Sequence, residues 1–169
     1  FSQFWTIDEN YSKISYIGSH PFHSWEGIST NVEFNLHCEN NCILDINVPL
    51  DSFNSSNDGR DSNMLYYTES LLYPNVRFKS NPFIFSNKFD TSIDITGHIT
   101  FHGVTVKDIP ITINLSKRND QNLNTSYFGK CEFTINLNSF DIEIPSLLLL
   151  KISEEIKISA DFKLLDLNE

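Results

Sequence analysis

Positive charge is what this sequence has least of. Twelve Lys and Arg stand against 22 Asp and Glu, a formal charge of −10 at neutral pH. A pI near 4.8 makes the chain a poor candidate for nucleic acid, which needs clustered Lys and Arg, and for adsorption to anionic lipid by charge. Long hydrophobic runs are also missing. The longest, Leu147 to Leu150, is far short of the roughly 18 residues of a membrane-spanning helix. No basic start followed by an apolar stretch marks a signal peptide. A chain opening on Phe1-Ser2-Gln3 reads as processed or trimmed, which permits export. Three cysteines suffice for one disulfide and one free thiol. No Gly-x-Ser-x-Gly, Walker loop or Cys-x-x-Cys occurs, so no catalytic set is legible and the protein reads as a non-enzyme.

What is there is enough for a core. Apolar residues make up 40 % of 169 positions, with 14 Phe, most simply one domain over residues 1–169. The most informative stretch is Val32 to Val48, two strands around Glu39-Asn40-Asn41. If Cys38 faces Cys42, then Leu36 faces Leu44, Phe34 faces Ile46 and Val32 faces Val48, all on one side. The other side pairs His37 with Ile43, Asn35 with Asp45 and Glu33 with Asn47. Apolar pairing and cysteine pairing therefore specify the same register, and a one-residue slip inverts both. A Cys38–Cys42 disulfide is expected, with Asn in a positive-φ turn position.

The same alternation recurs along the chain. A first strand is expected near Tyr11 to Gly18, and Gly18 to Gly27 reads as a break. Asp51 to Asp61 is a polar loop, and Asp61 or Ser62 is expected to cap a short helix to about Tyr67. Strand four runs from Val76 to about Phe85 and strand five from Phe89 to His102. Strand six carries Ile109, Ile111, Ile113 and Leu115. Strand seven carries Cys131, Phe133, Ile135 and Leu137. Pro145 stops the chain, Leu147 to Leu150 forms an apolar plug or turn, and strand eight alternates from Ile156 to Leu164. Eight strands with one apolar face each favour antiparallel pairing, closed into a barrel or split into a two-sheet sandwich.

Several segments, in this order, resemble the YceI-like family of lipocalin-like, polyisoprenoid-binding proteins. They are Trp5-Thr6-Ile7-Asp8, Arg60-Asp61-Ser62-Asn63-Met64-Leu65, Tyr73-Pro74-Asn75-Val76-Arg77-Phe78 and Thr96-Gly97-His98-Ile99-Thr100-Phe101-His102-Gly103-Val104-Thr105. Gly18 to Gly27 and Glu143-Ile144-Pro145-Ser146-Leu147-Leu148 are similar to a Bacteroidetes-type branch. The resemblance implies an all-β fold: a single eight-stranded antiparallel β-barrel with a short helix between strands three and four. It also implies a bacterial periplasmic or secreted location and an elongated apolar cavity for a lipid tail. Two departures stand out. Tyr66-Tyr67-Thr68 replaces the family's Phe-Phe-Asp, and only Lys107 is left of the basic residues that often follow Gly-Val-Thr. That corner is a poor place for a phosphate-bearing headgroup.

By alternation, Phe34, Leu36, Ile46, Phe78, Ile95, Phe101, Ile113, Phe133 and Ile135 point inward, to line a lipid tunnel or to fill it. Lys and Arg are nearly absent from these faces, which suits an uncharged tail. The expected partner is an isoprenoid or acyl lipid: a polyisoprenoid, an isoprenoid quinone or a fatty-acid derivative. No nucleic acid, membrane span or cofactor is expected, and a homodimer is left open. The alternatives are a stress or interaction protein with a filled barrel, and a hydrolase using a metal. For the latter, His20 with His23 and His98 with His102 would need a carboxylate such as Glu26. The plainer reading is loop and solvent-facing histidines with no metal. Cys131 reads as a small buried hydrophobe, and Arg60-Asp61 as an ion pair or cap, with gating or headgroup contact as the minor alternative.

Overall fold

Alternating side chains become the inside and outside of a closed wall. The computed structural model describes residues 2–144, 146–147 and 150–167. Its strands are β1 (Gln3–Ile7), β2 (Lys13–His20), β3 (His23–Ser29), β4 (Glu33–Cys38), β5 (Cys42–Pro49), β6 (Asn75–Ser80), β7 (Thr91–Phe101), β8 (Val104–Asn119), β9 (Thr125–Asn136), β10 (Ser146–Leu147), β11 (Leu150–Lys151) and β12 (Glu155–Asp166). One α-helix, α1 (Asp58–Tyr67), and two short 3₁₀ turns, Leu50–Ser52 and Leu137–Phe140, complete the described elements.

The sheet runs β1-β4-β5-β6-β7-β8-β9-β12 and closes where β12 pairs with β1. β1 and β2 are two parts of one bent strand along β12, and β3 and β4 are the two parts of its partner. Counted that way, the wall is a closed eight-stranded antiparallel barrel, not a sandwich. Along β5, Cys42, Leu44, Ile46 and Val48 are buried while their neighbours are not. β4 and β5 pair in the register expected from sequence, Cys38 opposite Cys42 and Phe34 opposite Ile46, and a disulfide joins Cys38 to Cys42.

The structure corrects several local expectations. Gly18 to Gly27 is not a break but the β2–β3 hairpin, with Gly18 opposite Trp25 and Tyr16 opposite Gly27. A Cβ on Gly18 would lie 2.6 Å from the Trp25 ring, and one on Gly27 would lie 2.2 Å from the Tyr16 ring. The glycines therefore make room for cross-strand aromatics. The Glu39–Asn41 turn uses no positive φ; Glu39 N–H donates to the Asn41 carbonyl at 3.1 Å instead. Strand four stops at Ser80, because Pro82 lacks the N–H needed to continue a ladder, and only a bridge from Cys42 to Phe83 follows. β8 begins earlier than expected, at Val104, and carries a bulge facing Gly97–Ile99, where Asp108 has φ 57°. The helix starts at Asp58, capped by Asn57, whose side chain accepts from Arg60 N–H at 2.9 Å. Asp61 instead accepts from Ser55 N–H at 3.1 Å. The expected stop at Pro145, and Leu148 and Leu149 of the apolar plug, lie outside the described residues.

The two barrel ends differ. At one end the Cys38–Cys42 turn and the β6–β7 loop gather around Trp5, Phe85, Phe89 and Tyr127. The rings of Trp5 and Tyr127 stand edge to face at 6.0 Å, and those of Phe89 and Tyr127 lie 4.4 Å apart. At the other end lie the β2–β3 turn, α1, the β7–β8 turn and the segment after β9. His102, in that β7–β8 turn, ties three of these together: its ring bonds the Glu69 carboxylate, just after α1, and the Phe140 carbonyl, after β9.

Candidate functional site

Eight strands leave more room than their side chains fill. A cavity of about 670 Å³ runs through the barrel. That volume lies within the usual range of ligand sites, roughly 300–1,000 Å³. Phe34, Leu36, Ile46, Phe78, Ile95, Phe101, Ile113, Phe133 and Ile135 all line it. Strands β2 to β9 and β12 contribute alternate residues, so the wall is hydrocarbon from the aromatic end, its floor, to the α1 end, its lid side. The floor side adds Phe83 and Phe85, and the lid side adds Leu50, Met64 and Ile142.

The polar lining residues collect at the lid end. Asn57, Arg60 and Asn63 come from α1 and its cap, His20 and His23 from the β2–β3 tip, and Glu143 and Ser146 from the segment after β9. Asn57, Asn63, His23 and Glu143 are exposed, so the cavity meets solvent there. Arg60 lies over the Trp25 ring, 5.0 Å from its centre. One of its terminal nitrogens stands 3.4 Å from His23 Nε2 and the other 3.5 Å from the Ser55 carbonyl. Arg60 and Asp61 thus take separate partners, and of the expected ion pair or cap neither is formed by them, the cap being Asn57.

The two pairs of histidines are placed differently. His20 and His23 have ring centres 5.8 Å apart beside Trp25. His98 accepts from Asp108 N–H at 3.4 Å, whereas His102 has left the strand face for a turn with φ 53°. Among the described residues no three His, Cys, Asp or Glu converge.

Two lumen groups titrate abnormally. Burial pushes the Cys131 thiol up to about 11, reinforced by the Asp161 charge. Burial also raises the Tyr16 phenol, and the Asp61 charge adds to this, while the Trp25 indole and Arg60 oppose it. The Tyr16 hydroxyl is buried without a partner at bonding geometry, so the nearby indole eases but does not satisfy it. Sequence reasoning missed Tyr16, Trp25 and Phe53, although Tyr16 and Trp25 each face a glycine across the hairpin. Alternating aromatic and glycine residues over Tyr16 to Gly27 were the available signal.

The model of the YceI-like domain matches residues 5–164 of this sequence. The chain belongs to the YceI-like family. No curated protein matches it in sequence. Among solved structures it is similar to BcnA of Burkholderia cenocepacia, with TM-score 0.77 and 12 % identity over 95 % of this chain and 99 % of that one. A polyisoprenoid binding domain from Saccharophagus degradans, implicated in plant cell wall breakdown, aligns with TM-score 0.72 and 14 % identity, covering 95 % and 97 %. The Campylobacter jejuni YCEI protein aligns with TM-score 0.61 and 16 % identity, covering 90 % and 85 %. At such identities the shared property is the YceI-like barrel itself.

Proposed function

We propose that this YceI-like chain binds and carries an amphiphile with a long apolar tail, a polyisoprenoid, isoprenoid quinone or fatty-acid derivative. It acts by sequestration and not as an enzyme. The observation that carries the reading is the cavity of about 670 Å³ walled by aliphatic and aromatic carbon. Each methylene moved from water into such a wall gains roughly 0.8 kcal/mol, so a tail needs no charged anchor to be held. A cavity of this size also favours the reading over a barrel plugged by its own side chains. The related polyisoprenoid binding domain gives the tail class its support. The disulfide suits the periplasm or the outside of the cell.

Organic extraction of the purified protein, followed by mass spectrometry, tests the proposal. A co-purified lipid near one equivalent is expected. An empty extract, together with no uptake of added prenyl or acyl lipid, rules the function out.

A further inference from the structure

The cavity wall carries one Lys or Arg among the described residues, Arg60, and it stands where the apolar lumen meets solvent. Its guanidinium has five N–H donors in a planar fork. Trp25 covers one face at 5.0 Å, and the two polar contacts, at 3.4 and 3.5 Å, are at the long limit of hydrogen bonding. Among the described residues no carboxylate pairs with it. Asp61 is turned to Ser55, and Glu143 shares the rim without reaching Arg60.

The two histidines add donors. His20 Nδ1 accepts from Phe22 N–H at 3.2 Å, which leaves its neutral ring with the proton on Nε2. His23 Nε2 faces an Arg60 nitrogen and must accept from it, which leaves its proton on Nδ1. The mouth thus offers a fork and two ring N–H groups above a dry lumen.

Resting on the tail-binding reading, we infer that Arg60 is a headgroup reader and that the bound amphiphile is acidic, with a carboxylate or phosphate at the mouth. A planar guanidinium matches both oxyanions in a two-bond geometry, and Trp25 holds it in the bound orientation beforehand. The site lies on α1, and Lys107, after the Gly103-Val104-Thr105 corner, does not line the cavity.

Two matched pairs test this: oleic acid with oleyl alcohol, and farnesyl phosphate with farnesol. Binding is followed by tryptophan emission at about pH 8.5, where both acids are ionised. The expected result is an acid preference of about ten- to a hundredfold in at least one pair, the size of a charge-assisted hydrogen bond. Which pair shows it separates carboxylate from phosphate. In Arg60→Gln the preference should collapse to less than about threefold. Arg60→Lys, which keeps the charge and the lid but loses the fork, should retain only part of it. Lys107→Gln should leave it unchanged. Equal binding of acid and alcohol overturns the acidic headgroup and leaves tail binding standing. A preference that survives both Arg60 variants removes Arg60 as the reader. If neither member of either pair binds, the tail-binding function itself is wrong.

Discussion

Cys131 is the residue whose surroundings make the plainest prediction. It lies on the lumen wall, and its thiol is pushed up to about 11. The folded state therefore favours the neutral thiol, so its contribution to stability is whole below pH ~9 and is lost as pH rises towards 11. Relative to Cys131→Ala, the wild type should lose up to roughly 3 kcal/mol across that window, read from denaturant midpoints. Iodoacetamide at about pH 8 should label the native protein slowly. Denatured but unreduced protein should take one label, on Cys131, because Cys38 and Cys42 are joined. Three labels before reduction would refute the disulfide. Gly97 carries a second prediction at this scale. A Cβ there would lie 2.4 Å from the Phe78 ring and 2.8 Å from the Lys79 carbonyl. A backbone oxygen cannot swing away, so Gly97→Ala should cost about 1–3 kcal/mol, a fall in melting temperature of roughly 3–10 °C.

At the scale of elements, α1 stands at the cavity mouth, where Arg60, Asn63, Met64 and Tyr67 line it. α1 buries no residue completely and is held by its ends and neighbours. Asn57 caps it, Asp61 pins Ser55, and Thr68 Oγ donates to the Met64 carbonyl at 2.8 Å. His102 bonds Glu69 just beyond the helix and the Phe140 carbonyl. Asn57→Ala removes one acceptor from the first turn and should cost about 1 kcal/mol. Because the helix borders the mouth and buries no residue completely, that loss should appear locally first. Amide exchange over residues 58–67 should quicken several-fold while β8 and β9 stay protected. Release of a bound prenyl or acyl probe should quicken as well. Uniform acceleration of exchange across the barrel would mean that α1 is part of the wall's cooperative unit and not a lid.

For the whole molecule the question is void against packing. Ile113 and Ile135 face the cavity from β8 and β9. Ile113→Phe and Ile135→Phe add volume without charge. In a filled core such overpacking costs roughly 1–3 kcal/mol. In an open lumen both variants should melt within about 2 °C of wild type and bind a prenyl or acyl probe several-fold more weakly. Early melting with undiminished binding would place the ligand elsewhere.

The sequence alone determined the β4–β5 hairpin and the inward set from Phe34 to Ile135. Side-chain direction alternates with period two, and a three-residue turn leaves one register in which Cys38 meets Cys42 and Phe34 meets Ile46. Those rules are local, so they could be read in the chain. The β2–β3 hairpin was not legible by the same rule, because its inner face mixes Tyr16, Gly18, Trp25 and Gly27 instead of repeating aliphatic residues. The helix start was missed because Asn57, Asp58, Asp61 and Ser62 can all cap by residue type, and only the position of the Arg60 N–H selects Asn57. Closure by β12 on β1, the void, and the meeting of Arg60, His23 and Trp25 at its mouth were decided by the tertiary structure. The reason is geometric. Strand number and tilt set the bore of a barrel, and no single strand records whether its inward side chains will span it.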